Sequence, residues 1–212
     1  STISSVTVQG YGSITMPPDQ ATLRFSISDK GRNLEMIKNK IGNVTSRFLE
    51  FAENLNIKKK NLRTTNINIF PEYTYIPKTG KRIFDGYKIN RDITVNLENL
   101  TLLGQLIEGA INLGVNNINP PMFSSKNATG VNIKLHTLAM EDAKNKAIAL
   151  ATSTNATIGR AIDVNAVPIS FQSRPTEMRM LRSDAAIMNE QNYEVGEITH
   201  QLSIIATFEL IY

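Results

Sequence analysis

His136 and His200 are the two imidazoles of a 212-residue chain that has no cysteine and no tryptophan. Any nucleophilic or metal chemistry has little else to start from. Without cysteine there is no disulfide framework, thiolate nucleophile, Cys-ligated zinc or iron–sulfur cluster, and two histidines are too few for a multi-histidine site. Neither has a matching Ser or Asp motif beside it. His200 alternates with apolar residues in the last segment and reads as a core or interface histidine, whereas His136 reads as an exposed helical residue. No nucleophile elbow, P-loop, His-Glu-x-x-His motif or paired carboxylates occur. Gly10-Tyr11-Gly12 is followed by Pro17-Pro18 rather than a helix, which removes it as a dinucleotide fingerprint. Glu141 and Asp142 are adjacent on a helix, so they diverge by about 100° and cannot share one cation. The expectation is therefore a non-enzyme, with no catalytic residue, no cofactor and no metal ligand.

Binding chemistry has more to work with. The formal charge is +4, and it is concentrated. Residues 58–91 hold nine bases (Lys58, Lys59, Lys60, Arg63, Lys78, Lys81, Arg82, Lys88 and Arg91) and two acids (Glu72 and Asp85), a local excess of +7 that leaves the remaining chain at −3. Localised positive charge is the footprint of a surface that meets phosphate, an anionic membrane or an acidic partner. The plainer reading is a solvated hairpin whose lysines protect exposed strands from edge pairing. Lys58, Lys59, Lys60, Arg63, Lys78, Lys81, Arg82 and Lys88 are the candidate interaction surface.

These residues need elements to hold them. The 41% hydrophobic and 20% charged content is that of a globular chain able to bury a core. Ala21, Leu23, Phe25 and Ile27 alternate with polar residues over 20–28, a strand, and a short strand from Val6 to Gln9 precedes it across Gly10-Tyr11-Gly12. Leu34, Ile37, Ile41, Val44, Phe48, Phe51 and Leu55 recur every three or four residues. That is the stripe of a long helix lying on a sheet, and it stops at Asn56. Ile67, Ile69, Tyr73 and Tyr75 mark an extended segment, Pro77-Lys78-Thr79-Gly80-Lys81 a hairpin turn, and Tyr87, Ile89, Ile93, Val95 and Leu97 one face of the return strand. Arg91 breaks that face and calls for a snorkelling side chain or a bulge. A second helix runs from Asn99 as N-cap to Gly114 as terminal glycine, and a strand interrupted by Pro120-Pro121 follows.

In order this is β-α-β-β-α-β over about residues 20–126, the ferredoxin-like arrangement with an antiparallel sheet and both helices on one face. A third helix over about 129–154 carries Ala139, Ala143, Ala147 and Ala151 in a row that permits close backbone approach, flanked by Leu135, Leu138 and Leu150. A strand follows Gly159, and Ile198, His200, Leu202, Ile204, Ala206, Phe208, Leu210 and Tyr212 share one face of the last one. The fold class is α+β: a ferredoxin-like core with an added helix and C-terminal strands, and residues 1–19 and 127–212 forming a second layer of one domain. Residues 171–196 lack sustained alternation and read as a long loop or arm, and Met178, Met180, Leu181 and Met188 make it a candidate oligomerisation element. Four Asn-x-Ser/Thr sequons, at Asn43, Asn99, Asn127 and Asn155, are about as many as 22 Asn and 33 Ser plus Thr place by chance.

Val8-Gln9-Gly10-Tyr11-Gly12, then Pro18-Asp19-Gln20-Ala21 entering a strand, resembles the opening of SIMPL-domain proteins. Thr64 or Thr65 leading to Ile69, Pro71 and Tyr73 looks like that family's Thr…Pro-x-Tyr strand, and Gly86-Tyr87 like its return strand. Ala143-x-x-Lys146-Ala147-x-x-Leu150-Ala151 with Gly159 looks like its third helix and following turn. The resemblance covers nearly the whole chain with five motifs in order. It implies an α+β domain, export to the periplasm or cell envelope as a signal-bearing precursor, and assembly into homo-oligomers, with no established catalytic activity. The chain departs from the family in a first helix rich in Ile, Asn and Lys and in the basic 58–91 segment.

No run of 18 apolar residues is present, so no transmembrane helix is expected, and Ser1-Thr2-Ile3-Ser4-Ser5 lacks the basic and apolar regions of a signal peptide. A mature chain whose signal has been removed agrees with both. RNA binding is the rival reading, because RNA-recognition modules share this strand and helix order. They need aromatics on the open face of the two central strands, and Asp85-Gly86-Tyr87-Lys88-Ile89-Asn90 shares only Gly-Tyr with that pattern. The sequence reading is thus a non-enzymatic envelope protein acting by assembly or partner binding. An anion-binding use of the basic hairpin and a small-ligand pocket between the ferredoxin-like part and the C-terminal elements are the alternatives.

Overall fold

The computed structural model describes residues 3–167 and 195–212. Among them are nine strands and three α-helices. The order is β1 (Ser5–Met16), β2 (Gln20–Gly31), α1 (Leu34–Asn54), β3 (Leu62–Thr64), β4 (Asn68–Ile76), β5 (Lys81–Leu97), α2 (Leu103–Leu113), β6 (Asn117–Ile118), β7 (Met122–Ser124), α3 (Ala128–Ser153), β8 (Thr157–Val167) and β9 (Ile198–Ile211). All strand pairs are antiparallel, and the fold is α+β. The chain divides into two compact units.

The first unit, Asp19–Ser124, has the strand order β3-β5-β2-β6, with β4 also on β5 and β7 on β2. This is the ferredoxin-like order, in which each helix crosses over the sheet to a non-adjacent strand. The inward row of β2 (Ala21, Leu23, Phe25, Ile27) and of β5 (Ile89, Ile93, Val95, Leu97) is buried, with Ile37, Ile41, Phe48 and Ala52 of α1 and Leu103, Leu106 and Ala110 of α2. Phe25 and Phe48 meet with ring centroids 4.9 Å apart. Arg91 faces the same way without a break in register, and its Nε donates to the Thr65 carbonyl (3.0 Å) where the chain leaves β3 before β4 begins. The side chain snorkels; there is no bulge.

The second unit comprises residues 3–18, 125–167 and 195–212 among those described. Its sheet has the order β1-β9-β8. The inward row of β9 from Ile198 to Phe208 is buried, and α3 turns Val131, Leu135, Ala139, Ala143 and Ala147 to the same core. Leu150, expected to flank that row, is exposed.

Two strand boundaries differ from the sequence reading. The first strand does not stop at Gln9 but continues through Gly10-Tyr11-Gly12 to Met16, paired with β9 throughout. The glycines break nothing; they make room for α3. A Cβ at Gly10 would lie 2.1 Å from the Ala139 carbonyl oxygen, and one at Gly12 2.5 Å from that of Leu135. The alanine row therefore approaches a strand backbone, with glycine on one side and alanine on the other. Gly159 is likewise not the turn after α3, because it lies within β8. Asn155 ends the helix instead, with φ 58° and the Ala156 N–H bonded back to the Ala151 carbonyl (2.8 Å).

Asparagine does the same work elsewhere. Asn56 (φ 61°) ends α1, with the Ile57 N–H on the Ala52 carbonyl, and its amide side chain makes the left-handed conformation affordable. Asn33, Asn99 and Asn127 cap helix N-termini by accepting from the Met36, Thr101 and Gly130 N–H groups. Three of the four sequon asparagines (Asn99, Asn127 and Asn155) thus have a helix-terminating role.

Candidate functional site: an aromatic and basic hairpin

The bases singled out in the sequence fall into two groups. Lys58, Lys59, Lys60 and Arg63 are exposed on and beside a single 3₁₀ turn, Lys59–Asn61, and on β3. β3 pairs with the far end of β5, Leu62 opposite Val95, whereas Lys81 opens β5 opposite Ile76. Fourteen strand residues at about 3.3 Å each put the tip about 45 Å from β3 along β5, with Lys88 between them. The tip bases and those beside β3 therefore do not adjoin. Lys59 lies 3.9 Å from Glu53, an exposed pair worth little.

The second group sits on the β4–β5 hairpin. Lys78 and Lys81 stand at its tip, Arg82 next to it, and Lys88 opposite Phe70. β2 accompanies β5 only as far as Tyr87, opposite Gly31. Beyond that point the hairpin continues as a two-stranded ribbon. Gly86, with φ 109°, marks the departure: a Cβ there would lie 2.6 Å from the Gly31 carbonyl oxygen. The register also shifts between Glu72 and Tyr73, leaving Asp85 as the extra residue of a bulge that turns the ribbon.

This ribbon is apolar on both faces. Cross-strand partners share a face, so Tyr73 with Phe84 and Tyr75 with Arg82 lie on one, and Phe70 with Lys88 and Thr74 with Ile83 on the other. Tyr75 is 61% exposed and Phe70 54%, and Ile69, Tyr73, Ile83 and Phe84 are also exposed. Tyr73, Phe84 and Tyr87 form an edge-to-face chain with centroids 6.0 and 5.1 Å apart. The Arg82 guanidinium lies 4.5 Å from the Tyr73 ring centroid, a cation–π contact that holds its charge over the apolar face. Six large side chains about half exposed present on the order of several hundred Å² of apolar surface, the size at which patches mark interaction sites.

Charge on the ribbon is sorted as well. Its two acids are bound from within the unit: Glu72 by Lys30 at 3.2 Å, and Asp85 by Arg32 at 3.7 Å and by the Thr74 hydroxyl at 3.1 Å. The tip lysines make no such pair among the described residues. Sequence reasoning found these bases but used Tyr75 only as a strand marker and Tyr73 as a strand marker and part of the family motif. The missed signal is that apolar residues occur at both parities, Phe70 and Ile76 as well as Ile69, Tyr73 and Tyr75, in a segment with no second layer to cover both faces.

The open face of the central strands is of a different kind. Thr22, Arg24, Ser26 and Ser28 lie beside Asp92, Thr94 and Asn96, tied by Ser26 to Asp92 (2.6 Å) and Thr22 to Asn96 (3.1 Å). No aromatic stands there to stack a base.

The remaining titratable residues form no reaction centre among those described. His200 is buried on β9 opposite Ile14, and exposed His136 has Nδ1 2.7 Å from the Asn132 carbonyl. No three His, Asp or Glu side chains gather to hold a metal among the described residues. Asp142 has a structural task. Its carboxylate accepts from the Tyr11 N–H (2.8 Å) and from Lys146 Nζ (2.8 Å), and Lys146 also donates to the Gln9 carbonyl (3.0 Å) and lies over the Tyr11 ring. The hydrogen bond from Lys146, then that from Tyr11, holds the Asp142 carboxyl below its usual range. Gln9 and Tyr11 are on the edge strand of the β1-β9-β8 sheet. The pair therefore closes backbone groups that a foreign strand could otherwise use. The four methionine-arm residues, Met178, Met180, Leu181 and Met188, lie outside the described residues.

A two-unit α+β fold with helix-packing glycines, a capped edge strand and a projecting ribbon is the architecture to be placed among known proteins. Residues 6–208 match the SIMPL family, described as "Protein of unknown function (DUF541)", and the chain belongs to it. It is 26% identical over 206 residues to the uncharacterized protein YggE of Escherichia coli K12, covering 97% of this chain and 82% of that one. It is also 27% identical over 175 residues to YggE of Edwardsiella ictaluri, covering 82% and 72%. The 26 kDa periplasmic immunogenic protein of Brucella melitensis is 23% identical over 211 residues, covering 97% and 84%. Among the described residues no helix is long and apolar enough to cross a membrane.

Proposed function

We propose that this chain is a non-enzymatic protein of the bacterial periplasm or cell envelope that acts by protein contact, either assembling with its own copies or binding a partner. The observation that carries the reading is the β4–β5 ribbon, which past the end of β2 exposes Tyr73, Tyr75 and Phe84 on one face and Ile83 on the other. A two-stranded hairpin has little independent stability in water, and one that keeps its apolar faces uncovered is suited to burying them against something else. The periplasmic name of the Brucella relative supports the compartment, which a signal peptide on the full-length precursor would establish.

Light scattering tests the assembly arm. It gives a mass above that of one chain, and deleting residues 172–196, where the methionine arm is proposed, lowers it. A monomer at high micromolar concentration removes self-assembly and leaves partner binding.

A further inference from the structure

We infer that the outer edge of β5 over Lys81–Asp85 docks an extended, acidic segment of another polypeptide as an added strand. This rests on the reading that the ribbon is a contact surface, and it names the kind of partner.

The edge is open because β2 ends. β5 has neighbours on both sides from Leu97 to Tyr87, then only β4 from Gly86 to the tip. Other long edges carry devices that oppose pairing. β1 has its Tyr11 N–H and Gln9 carbonyl taken by Asp142 and Lys146, β4 has Pro71 in mid-strand, and β8 has register shifts at Ile158/Ala161 and Ala161/Asp163. The Lys81–Asp85 edge has neither proline nor a capping pair; its bulge falls at the inner end, at Asp85, and its edge lysine opposes a like-charged strand rather than an acidic one.

Charge selects the occupant. Lys81 and Arg82 lie on the edge, Lys78 is at the turn, and Arg32 reaches it through Asp85, the one acid there. A second identical ribbon would bring like charges together, whereas an extended segment alternating carboxylates with apolar residues would set its carboxylates on the face of Arg82 and its apolar residues on the opposite face, that of Ile83. A bilayer suits the edge poorly. It offers no partners to open backbone N–H and C=O groups, and the tip that would enter first, Lys78-Thr79-Gly80-Lys81, is polar.

The test is fluorescence anisotropy of the whole chain with labelled short peptides alternating Glu–Val, Lys–Val or Glu–Pro, and co-sedimentation with phosphatidylglycerol vesicles. Glu–Val binds and weakens with added salt. Lys–Val lacks the charge and Glu–Pro the backbone donors, so each binds at least about tenfold less well, a difference of about 1.4 kcal/mol. Lys81→Glu with Arg82→Glu weakens Glu–Val by a similar factor without changing Tm, since both side chains are exposed. The inference is overturned if Glu–Val does not bind, if Lys–Val or Glu–Pro binds equally, if the charge reversal leaves affinity unchanged, or if only vesicles are bound. Any of these alongside intermolecular crosslinks from the ribbon would remove the acidic strand and leave the contact surface standing. Absence of crosslinks removes both.

Discussion

Glycine, alanine and asparagine explain much of the chain's motif content without catalysis. Gly10 and Gly12 lie where α3 crosses β1, so Gly10→Ala forces a methyl against the Ala139 carbonyl. The expected cost is about 3 kcal/mol or more, near the upper end for overpacking, measurable by urea unfolding; a loss below 1 kcal/mol, the low end of that range, would mean that the helix can move aside. Asp142 makes a pH-dependent contribution whose sign follows from its lowered pKa. A carboxyl depressed in the folded state stabilises fully above its unfolded pKa and loses that contribution as pH falls through the folded one. The Tm difference between wild type and Asp142→Ala therefore shrinks as pH falls through the carboxylate range, and a difference constant with pH would contradict the role. The sequence reading weighed Asp142 only against its neighbour Glu141 and missed its i,i+4 partner Lys146. That the pair closes the edge of a strand more than 130 residues earlier was not legible at all, because nothing local in sequence encodes which strand a helix crosses.

Elements were the most legible scale. Periodicity alone located α1, since Ile37, Ile41 and Phe48 each bury completely or nearly so. Phe48→Ala is expected to cost about 3–5 kcal/mol by denaturant unfolding, whereas Tyr75→Ser, on the exposed ribbon, changes stability by no more than about 0.5 kcal/mol. Comparable losses at the two positions would mean that the ribbon is part of the core. The boundaries that sequence misplaced both involve glycine. Gly10-Tyr11-Gly12 and Gly159 look like turns because glycine is usual there, yet they sit inside strands where a helix or a neighbouring side chain approaches closely. The basic segment was legible as charge but not as geometry: a nine-base count cannot tell that β3 and the hairpin tip lie at opposite ends of one 17-residue strand.

At the scale of the whole molecule, family membership names no activity, and the proposed role rests on the ribbon. The chain has surfaces to offer and, among its described residues, no cluster that would hold a reacting group. The central claim is that the ribbon, rather than another exposed element, meets other proteins in the envelope. Site-specific photocrosslinking in living cells tests it directly, with a benzophenone side chain at Tyr75 or Ile83 and, as the control, at Ser13 on exposed β1. The account predicts discrete adducts from Tyr75 and Ile83, at the mass of two chains or of this chain plus a partner, and none from Ser13. No adduct from the ribbon, or the same adducts from Ser13, would contradict it.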